Sequence, residues 1–174
     1  EMCIRDRIER ELGEMNIVAE DLGIITSEVE RLRDDCGFPG MRIVQFLIAG
    51  SSSGRIGFTA PENSIVYTGT HDNNTTVGWY SRDIDEVLRE SLANLVGTTS
   101  DRPRTICQRL IKAAYASRAR MAIIPMQDIL GLDERARMNT PGTVGLNWRW
   151  CLKKDYLLEI DLQKLKALCV RYRR

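Results

Sequence analysis

The chain has 174 residues, of which 43% are hydrophobic, and its 25 lysines and arginines nearly balance its 24 aspartates and glutamates. This apolar fraction is sufficient for a folded core and excludes wholesale disorder. The net charge of +1 gives no reason to expect a nucleic-acid partner. No membrane segment is expected either, because the longest apolar run, at 41–50, is shorter than the ~20 residues of a membrane helix.

The cysteines and the single histidine exclude the usual zinc sites. The five cysteines are scattered, none of them in a C-x-x-C spacing, and His71 is the only histidine. An odd, scattered set is typical of reduced thiols, so we expect an intracellular, cytoplasmic protein. The sequence begins Glu1-Met2-Cys3 without a signal peptide, and we expect a truncated N-terminus with further residues before Glu1.

In the first half of the chain, short apolar runs alternate with helical patterns. One amphipathic helix is predicted to end at Leu12, before Gly13. A second is predicted to begin at Thr26 or Ser27, because Ser27 and Glu30 have the spacing of a capping box. Apolar runs rich in β-formers predict three strands, at 17–19, 41–48 and 65–67.

The second half of the chain continues this alternation. Helices are predicted at 83–96, from Pro103 to Met121, and at 161–172, with a fourth strand at 122–126. Near-continuous apolar strands between helices indicate an α/β fold, in which helices cover both faces of a parallel sheet. No shift in composition divides the chain, so residues 1–174 are predicted to form one unit without an internal domain boundary.

Acidic residues follow two of the predicted strands, at the end of the sheet where parallel α/β folds carry their chemistry. Glu20 follows the first strand, and His71 and Asp72 lie just beyond the third. Either acid alone can instead be a helix N-cap or a surface group. Two acids at equivalent strand ends, one beside the only histidine, favour a cleft suited to acid/base or glycoside chemistry. Asp21 should point to the opposite face from Glu20, in a structural role.

Three long segments resemble the amylomaltase (4-α-glucanotransferase) family, in order and in spacing. The first is IVAEDLGIIT at 17–26 followed by GFPGM at 37–41. The second is YTGTHDNNTTVGWY at 67–80. The third runs from IIPMQD at 123–128 through RMNTPGT at 137–143 to NW at 147–148. Together these segments cover most of residues 16–150, which makes the resemblance specific.

The resemblance implies a fold and a reaction. The fold would be a (β/α)8 TIM barrel of the glycosidase type, of which this chain supplies the C-terminal half, strands five to eight with their helices. The reaction would transfer α-1,4-glucan segments from a maltodextrin donor to glucose or another α-glucan, with retention at C1 and without a cofactor or metal. Glu20 would be the general acid/base, while His71 and Asp72 would hold hydroxyls of the donor sugar.

The resemblance also indicates what this chain lacks and which other side chains contact sugar. The family's nucleophilic aspartate lies on the fourth barrel strand, before residue 1, so the chain alone is expected to be inactive. Phe46, at the end of the sixth strand, and Asn139 fall on sugar-contacting positions; the alternatives are a core residue for Phe46 and a turn former for Asn139. Three tryptophans can stack on sugar rings, although packing inside the barrel is favoured for each: Trp79, Trp148 and Trp150.

Two other functions remain open at this point. A related retaining α-glucosidase or α-amylase-like hydrolase would use the same residues and pass the sugar to water. A non-catalytic, glucan-binding half-barrel would account for the missing nucleophile. The sequence departs from the family pattern at 47–62 and at Cys151, where an arginine usually follows Trp-x-Trp, and these departures affect the acceptor side of the cleft.

Overall fold

A computed structural model of the chain describes residues 2–13, 15–49 and 59–174. Its centre is a parallel sheet in the order β1-β2-β3, formed by β1 (Gly40–Ile43), β2 (Ser64–Tyr67) and β3 (Met121–Ile123). Beyond β1, Ala19 makes a single parallel bridge to Gly40. The α/β fold with a parallel sheet is therefore as predicted from the sequence.

Helices precede, separate and follow these strands along the chain. The α-helices are α1 (Met2–Leu12), α2 (Ser27–Asp35), α3 (Val44–Ala49), α4 (Thr76–Gly78), α5 (Glu86–Leu95), α6 (Pro103–Ala116), α7 (Met126–Ile129), α8 (Tyr156–Glu159) and α9 (Leu162–Tyr172). A π-helical turn, Trp79–Asp83, continues α4, and a 3-10 turn covers Glu134–Ala136. Among the described residues, none of these helices is both long enough and apolar enough to cross a bilayer.

The core lies between β2 and the helix α6. Val66, in the middle of β2, is fully buried, as expected for an apolar strand with a neighbour on each side. Pro103 begins α6 in the first helical position, where its missing N–H costs nothing. The buried face of α6 repeats every three or four residues, through Ile106, Cys107, Leu110, Ile111 and Ala114.

The predicted strand at 41–48 is wrong in its second half. β1 ends at Ile43, and the following residues form α3. Val44 and Ile48, four residues apart, are buried together, whereas Phe46 between them is 52% exposed, which is the pattern of a helical turn rather than of a strand. A continuous apolar run gives no periodicity to separate a buried strand from a buried helix, so the sequence favoured the wrong element.

Other predicted boundaries differ by shorter segments. Residues 17–19 form only the Ala19 bridge. β3 ends before Pro125, which has no N–H for a ladder and instead occupies the N-cap position of α7. The helix expected at 83–96 begins at Glu86, where Asp85 caps it. The helix after Pro103 ends at Ala116 rather than at Met121.

The predicted end of α1 and the predicted start of α9 agree with the structure to within one residue. α1 ends at Leu12, and Gly13 follows with a φ of +76°, a left-handed conformation that favours glycine. α9 begins after Asp161, whose carboxylate accepts a hydrogen bond from the Lys164 N–H. Thr26 occupies the N-cap position of α2 but makes no side-chain cap, so the predicted capping box is wrong.

Asp21 holds the start of the sheet together. Its carboxylate accepts hydrogen bonds from Arg33 (2.6 Å), Arg42 (2.9 Å) and the Met41 N–H (2.6 Å), and its side chain is only 4% exposed. Burial alone would raise the pKa of Asp21, but these three donors outweigh it and lower the pKa below the ordinary value of 3.8. A side chain at position 40 would collide with this carboxylate, so Gly40 is required there.

We expect Asp21→Asn to lower the free energy of unfolding by about 3 kcal/mol, because it leaves two partly buried arginines without their shared anion. The loss should be largest above the ordinary aspartate pKa and should shrink as the pH falls through the lowered pKa of Asp21, where the unsubstituted protein also loses the ion pairs. Urea denaturation from pH 3 to pH 7 measures it. Asp34→Asn is the matched control, since Asp34 pairs with the same Arg33 but is 62% exposed. Equal losses in the two variants would contradict this role.

Candidate functional site

The carboxyl ends of the strands open into a cleft of about 700 Å³. Four of the five side chains predicted for the site line it: Glu20, Phe46, His71 and Asp72. The fifth, Asn139, reaches the cleft through a hydrogen bond to Asp72. The parallel register explains this convergence, because strand ends that align in one direction bring their following loops to one edge.

The turn that carries His71 and Asp72 is closed by its own side chains. The N–H and hydroxyl of Thr70 both donate to the side-chain oxygen of Asn73, each over 2.8 Å. The Asn73 N–H donates back to the Thr70 carbonyl over 3.2 Å, and the Asp72 N–H donates to the Thr70 hydroxyl over 3.3 Å. Threonine and asparagine are well suited to such turns, since their short polar side chains substitute for backbone partners.

A segment from beyond β3 covers this turn. The Asn139 side chain donates to Oδ1 of Asp72 over 2.6 Å, and its N–H donates to the carbonyl of His71 over 3.1 Å. Arg137 donates to the carbonyl of Asp72 over 2.7 Å. His71 Nε2 lies 3.4 Å from the same Asp72 Oδ1. The Asp72 carboxylate is thus oriented from two sides while its side chain remains 48% exposed to the cleft.

Asp128 lies under the turn and ties its two ends together. The turn leaves β2 at Thr68 and enters α4 at Thr76. Asp128 accepts hydrogen bonds from the Thr68 hydroxyl (2.5 Å), the Thr76 hydroxyl (2.7 Å) and the Thr76 N–H (2.7 Å). Its side chain is almost fully buried, and this burial raises the pKa of Asp128 although the three donors oppose it.

Sequence reasoning missed this role of Asp128, although the residue falls within one of the family segments. Asp128 lies in α7, and nothing in the sequence distinguishes this buried acid from an exposed one. The only available signal was the pair of threonines that flank the His71–Asp72 turn, eight residues apart. Gln45 gives the turn a further support, because its side chain donates to the Asn74 carbonyl over 3.0 Å from α3.

Glu20 reaches the cleft from the edge of the sheet next to β1. It follows the Ala19 bridge and is exposed, and the next residue, Asp21, turns away to bind Arg33 and Arg42. This opposite orientation of Glu20 and Asp21 is what an extended backbone predicts. The fixed carboxylate of Asp21 therefore holds the backbone from which Glu20 projects.

The aromatic side chains divide into core and cleft residues. Phe46 lies in α3 rather than at a strand end, and at 52% exposure it lines the cleft instead of packing in the core. Trp79 is buried in the core, as favoured from the sequence, but Trp148 is 59% exposed and packs against the His71 ring. In the described ranges, no group of three or more histidines, cysteines or acids could hold a metal ion.

Comparisons with known proteins agree with the family resemblance of the three sequence segments within residues 17–148. The family model described as 4-alpha-glucanotransferase matches residues 3–157. The 4-alpha-glucanotransferase of Streptococcus pneumoniae serotype 4 is 45% identical over 168 residues, which are 96% of this chain and 33% of that protein. The chloroplastic/amyloplastic 4-alpha-glucanotransferase DPE1 of Arabidopsis thaliana is 39% identical over 173 residues, 97% of this chain and 30% of that protein.

A solved structure is similar over nearly the whole chain. It is the amylomaltase from Streptococcus agalactiae in complex with acarbose, with a TM-score of 0.84 and 34% identity. The similarity covers 97% of this chain and 34% of that structure. The chain therefore spans about a third of the length of the relatives that it matches.

We expect Asp128→Ala to lower the free energy of unfolding by about 3 kcal/mol, because it leaves two buried hydroxyls and one buried N–H without an acceptor. Asp128→Asn should cost less, since the amide oxygen still accepts from Thr76 and its NH2 can donate to both threonine oxygens. Urea denaturation measures both losses, with Asp101→Ala as the control at an exposed position. A loss under about 1 kcal/mol for the alanine variant would show that Asp128 does not hold the turn.

Proposed function

The chain belongs to the 4-alpha-glucanotransferase family, and on this premise we propose that it supplies Glu20, His71 and Asp72 to the active site of an enzyme that transfers α-1,4-glucan segments between maltodextrins. The observation that carries the proposal is the convergence of Glu20, Phe46, His71 and Asp72 on one cleft at the carboxyl ends of parallel strands. Such a cleft offers carboxylates for the reacting bond and an aromatic face for a sugar ring.

Glu20 is the general acid/base of this proposal. In a retaining transfer, one carboxylate attacks the anomeric carbon while a second carboxyl group, about 5–5.5 Å away, protonates the departing glycosyl oxygen. Glu20 then takes a proton from the hydroxyl of the acceptor sugar, so that the product is a new glycoside. The nucleophile of this scheme is an aspartate on a fourth barrel strand that precedes these residues.

Asp72 and His71 hold the donor sugar in this scheme. Within the described part of the chain, the Asn139 hydrogen bond and the nearby His71 Nε2 both reach Oδ1 of Asp72, which leaves Oδ2 for sugar hydroxyls. Hydrogen bonds from the sugar hydroxyls to Asp72 strengthen as positive charge develops on the ring. The carboxylate is already oriented, so it needs no rearrangement to form them. Asn139 acts by orienting Asp72, and Phe46 by packing against a sugar face.

We also propose that the chain, as one unit over 1–174, forms strands five to eight of a (β/α)8 barrel. Residues 17–19 would be the fifth strand, and β1, β2 and β3 the sixth to eighth. The outer edge of β3 pairs with no strand in the described residues, and Met121 and Ile123 on it are 50% and 40% exposed. An apolar groove between α1 and α2, about 330 Å³ in volume, supports further packing at the opposite edge.

If the sheet is half of a barrel, the isolated 174-residue chain should self-associate or remain loosely packed, because it exposes strand edges and apolar surface. Size-exclusion chromatography and a thermal melt followed by near-UV circular dichroism measure this. A sharp monomer peak with one cooperative transition would contradict the half-barrel proposal.

The roles of Glu20 and Asp72 are separable in the full-length gene product. Glu20→Gln and Asp72→Asn should each lower transfer between maltodextrins by at least about 100-fold. With α-glucosyl fluoride as donor, the leaving group needs little protonation. Glu20→Gln should then still form the covalent intermediate, and azide should restore its turnover, whereas Asp72→Asn should stay slow. Glu30→Gln, at an exposed position on α2, is the control.

Equal losses in both variants with the fluoride donor, without azide rescue, would remove the acid/base role from Glu20. The products from maltotriose test the type of reaction: longer maltodextrins indicate transfer, while glucose and maltose alone indicate a retaining α-glucosidase or α-amylase-like hydrolase. Acarbose, which the Streptococcus agalactiae structure contains, is the binding probe. Acarbose binding without any turnover would support the non-catalytic, glucan-binding alternative.

A further inference from the structure

Trp148 has an unusual backbone for a bulky residue. Its φ is +62°, in the left-handed region that non-glycine residues rarely enter. The conformation persists because its surroundings hold it: the Trp148 N–H donates to the Met138 carbonyl over 2.7 Å. Residues in such conformations cluster at functional sites, where the surrounding structure maintains the strain.

The Trp148 side chain contacts the histidine of the site. The centroids of the Trp148 and His71 rings are 5.1 Å apart, and the ring planes are inclined by 34°. Both side chains are more than half exposed, so the contact belongs to the rim of the cleft and not to the core. Because His71 Nε2 also lies 3.4 Å from Asp72 Oδ1, the imidazole is held between an indole and a carboxylate.

The loop from Met138 to Trp148 is closed on itself, which fixes where the indole lies. The Asn147 side chain accepts a hydrogen bond from the Thr140 N–H and donates to the Thr143 carbonyl, both over 3.0 Å. One end of this loop binds Asp72 through Asn139, and the other end binds His71 through Trp148. Both residues of the turn are thus held by one loop.

From these contacts we propose that Trp148 is a positioning residue for His71, and that its left-handed backbone serves to turn the indole onto the imidazole. The indole restricts the rotation of the His71 ring, so that the imidazole meets the sugar in one orientation. This inference rests on the proposed role of His71 in sugar binding. A displacement of a substrate-binding group by about 1 Å is enough to lower a rate up to about 100-fold.

The test separates the indole from the backbone that carries it. Trp148→Asn removes the ring but tolerates the left-handed conformation, and Trp148→Phe keeps an aromatic ring. Leu146→Ala, on the same loop and 78% exposed, is the matched control. In the full-length gene product, kcat/KM for transfer from maltotriose should fall on the order of 10-fold in the asparagine variant and recover largely in the phenylalanine variant.

Two further measurements identify the cause of the loss. In a His71→Ala background, Trp148→Asn should lower kcat/KM no further, because a positioning residue acts through the group that it positions. The NMR signal of the His71 Cε1 proton, assigned by its absence from His71→Gln, should shift in Trp148→Asn and not in Leu146→Ala, because the ring current is removed. This second measurement needs no activity, so it separates a failure of this inference from a failure of the proposed function. An unchanged His71 signal, or equal losses in the two backgrounds, would overturn the inference.

Discussion

The buried carboxylate of Asp128 is the constraint on which the candidate site depends. The turn with His71 and Asp72 leaves a buried strand and enters a buried helix, and Asp128 accepts hydrogen bonds from the residue at each of these two points, Thr68 and Thr76. A buried charge without a cation is tolerated only when donors surround it. The three hydrogen bonds that neutralise this cost are therefore the ones that fix the ends of the turn. The orientation of the exposed Asp72 therefore depends on the hydrogen bonds that the buried Asp128 accepts.

An exposed acid is also paired with a buried one at the other side of the cleft. Glu20 is exposed and faces the cleft, while its neighbour Asp21 is buried between Arg33 and Arg42. In both places a solvent-facing acid is attached to backbone that a buried acid holds. An exposed carboxylate keeps its hydration and costs the fold little, whereas the buried one contributes stability through charged hydrogen bonds. Glu20, the proposed acid/base, and Asp21, which stabilises the fold, are therefore adjacent residues with opposite exposure.

The sequence predicted the α/β fold, the order of the longer helices and the convergence of Glu20, Phe46, His71 and Asp72 on one cleft, because these depend on local patterns and on strand ends. It failed at α3, where an apolar run without periodicity favoured a strand, and Phe46 therefore reaches the cleft from a helix. It also failed to identify Asp128, since its burial comes from contacts with residues about sixty and fifty positions away, Thr68 and Thr76. The left-handed backbone of Trp148 is equally invisible in the sequence, because it results from closure of a loop and not from the type of residue.

The loop from Met138 to Trp148 contacts both residues of the candidate site that follow β2, His71 and Asp72. It follows β3 and α7, yet its contacts are with the turn after β2, on Asp72 through Asn139 and on His71 through Trp148. Asp128, at the start of the same connection, holds that turn from below. The stretch from Asp128 to Trp148 therefore contacts the turn both in the core, through Asp128, and at the cleft, through Asn139 and Trp148. Glu20 is placed by different contacts, because its neighbour Asp21 binds Arg33 of α2 and Arg42 of β1.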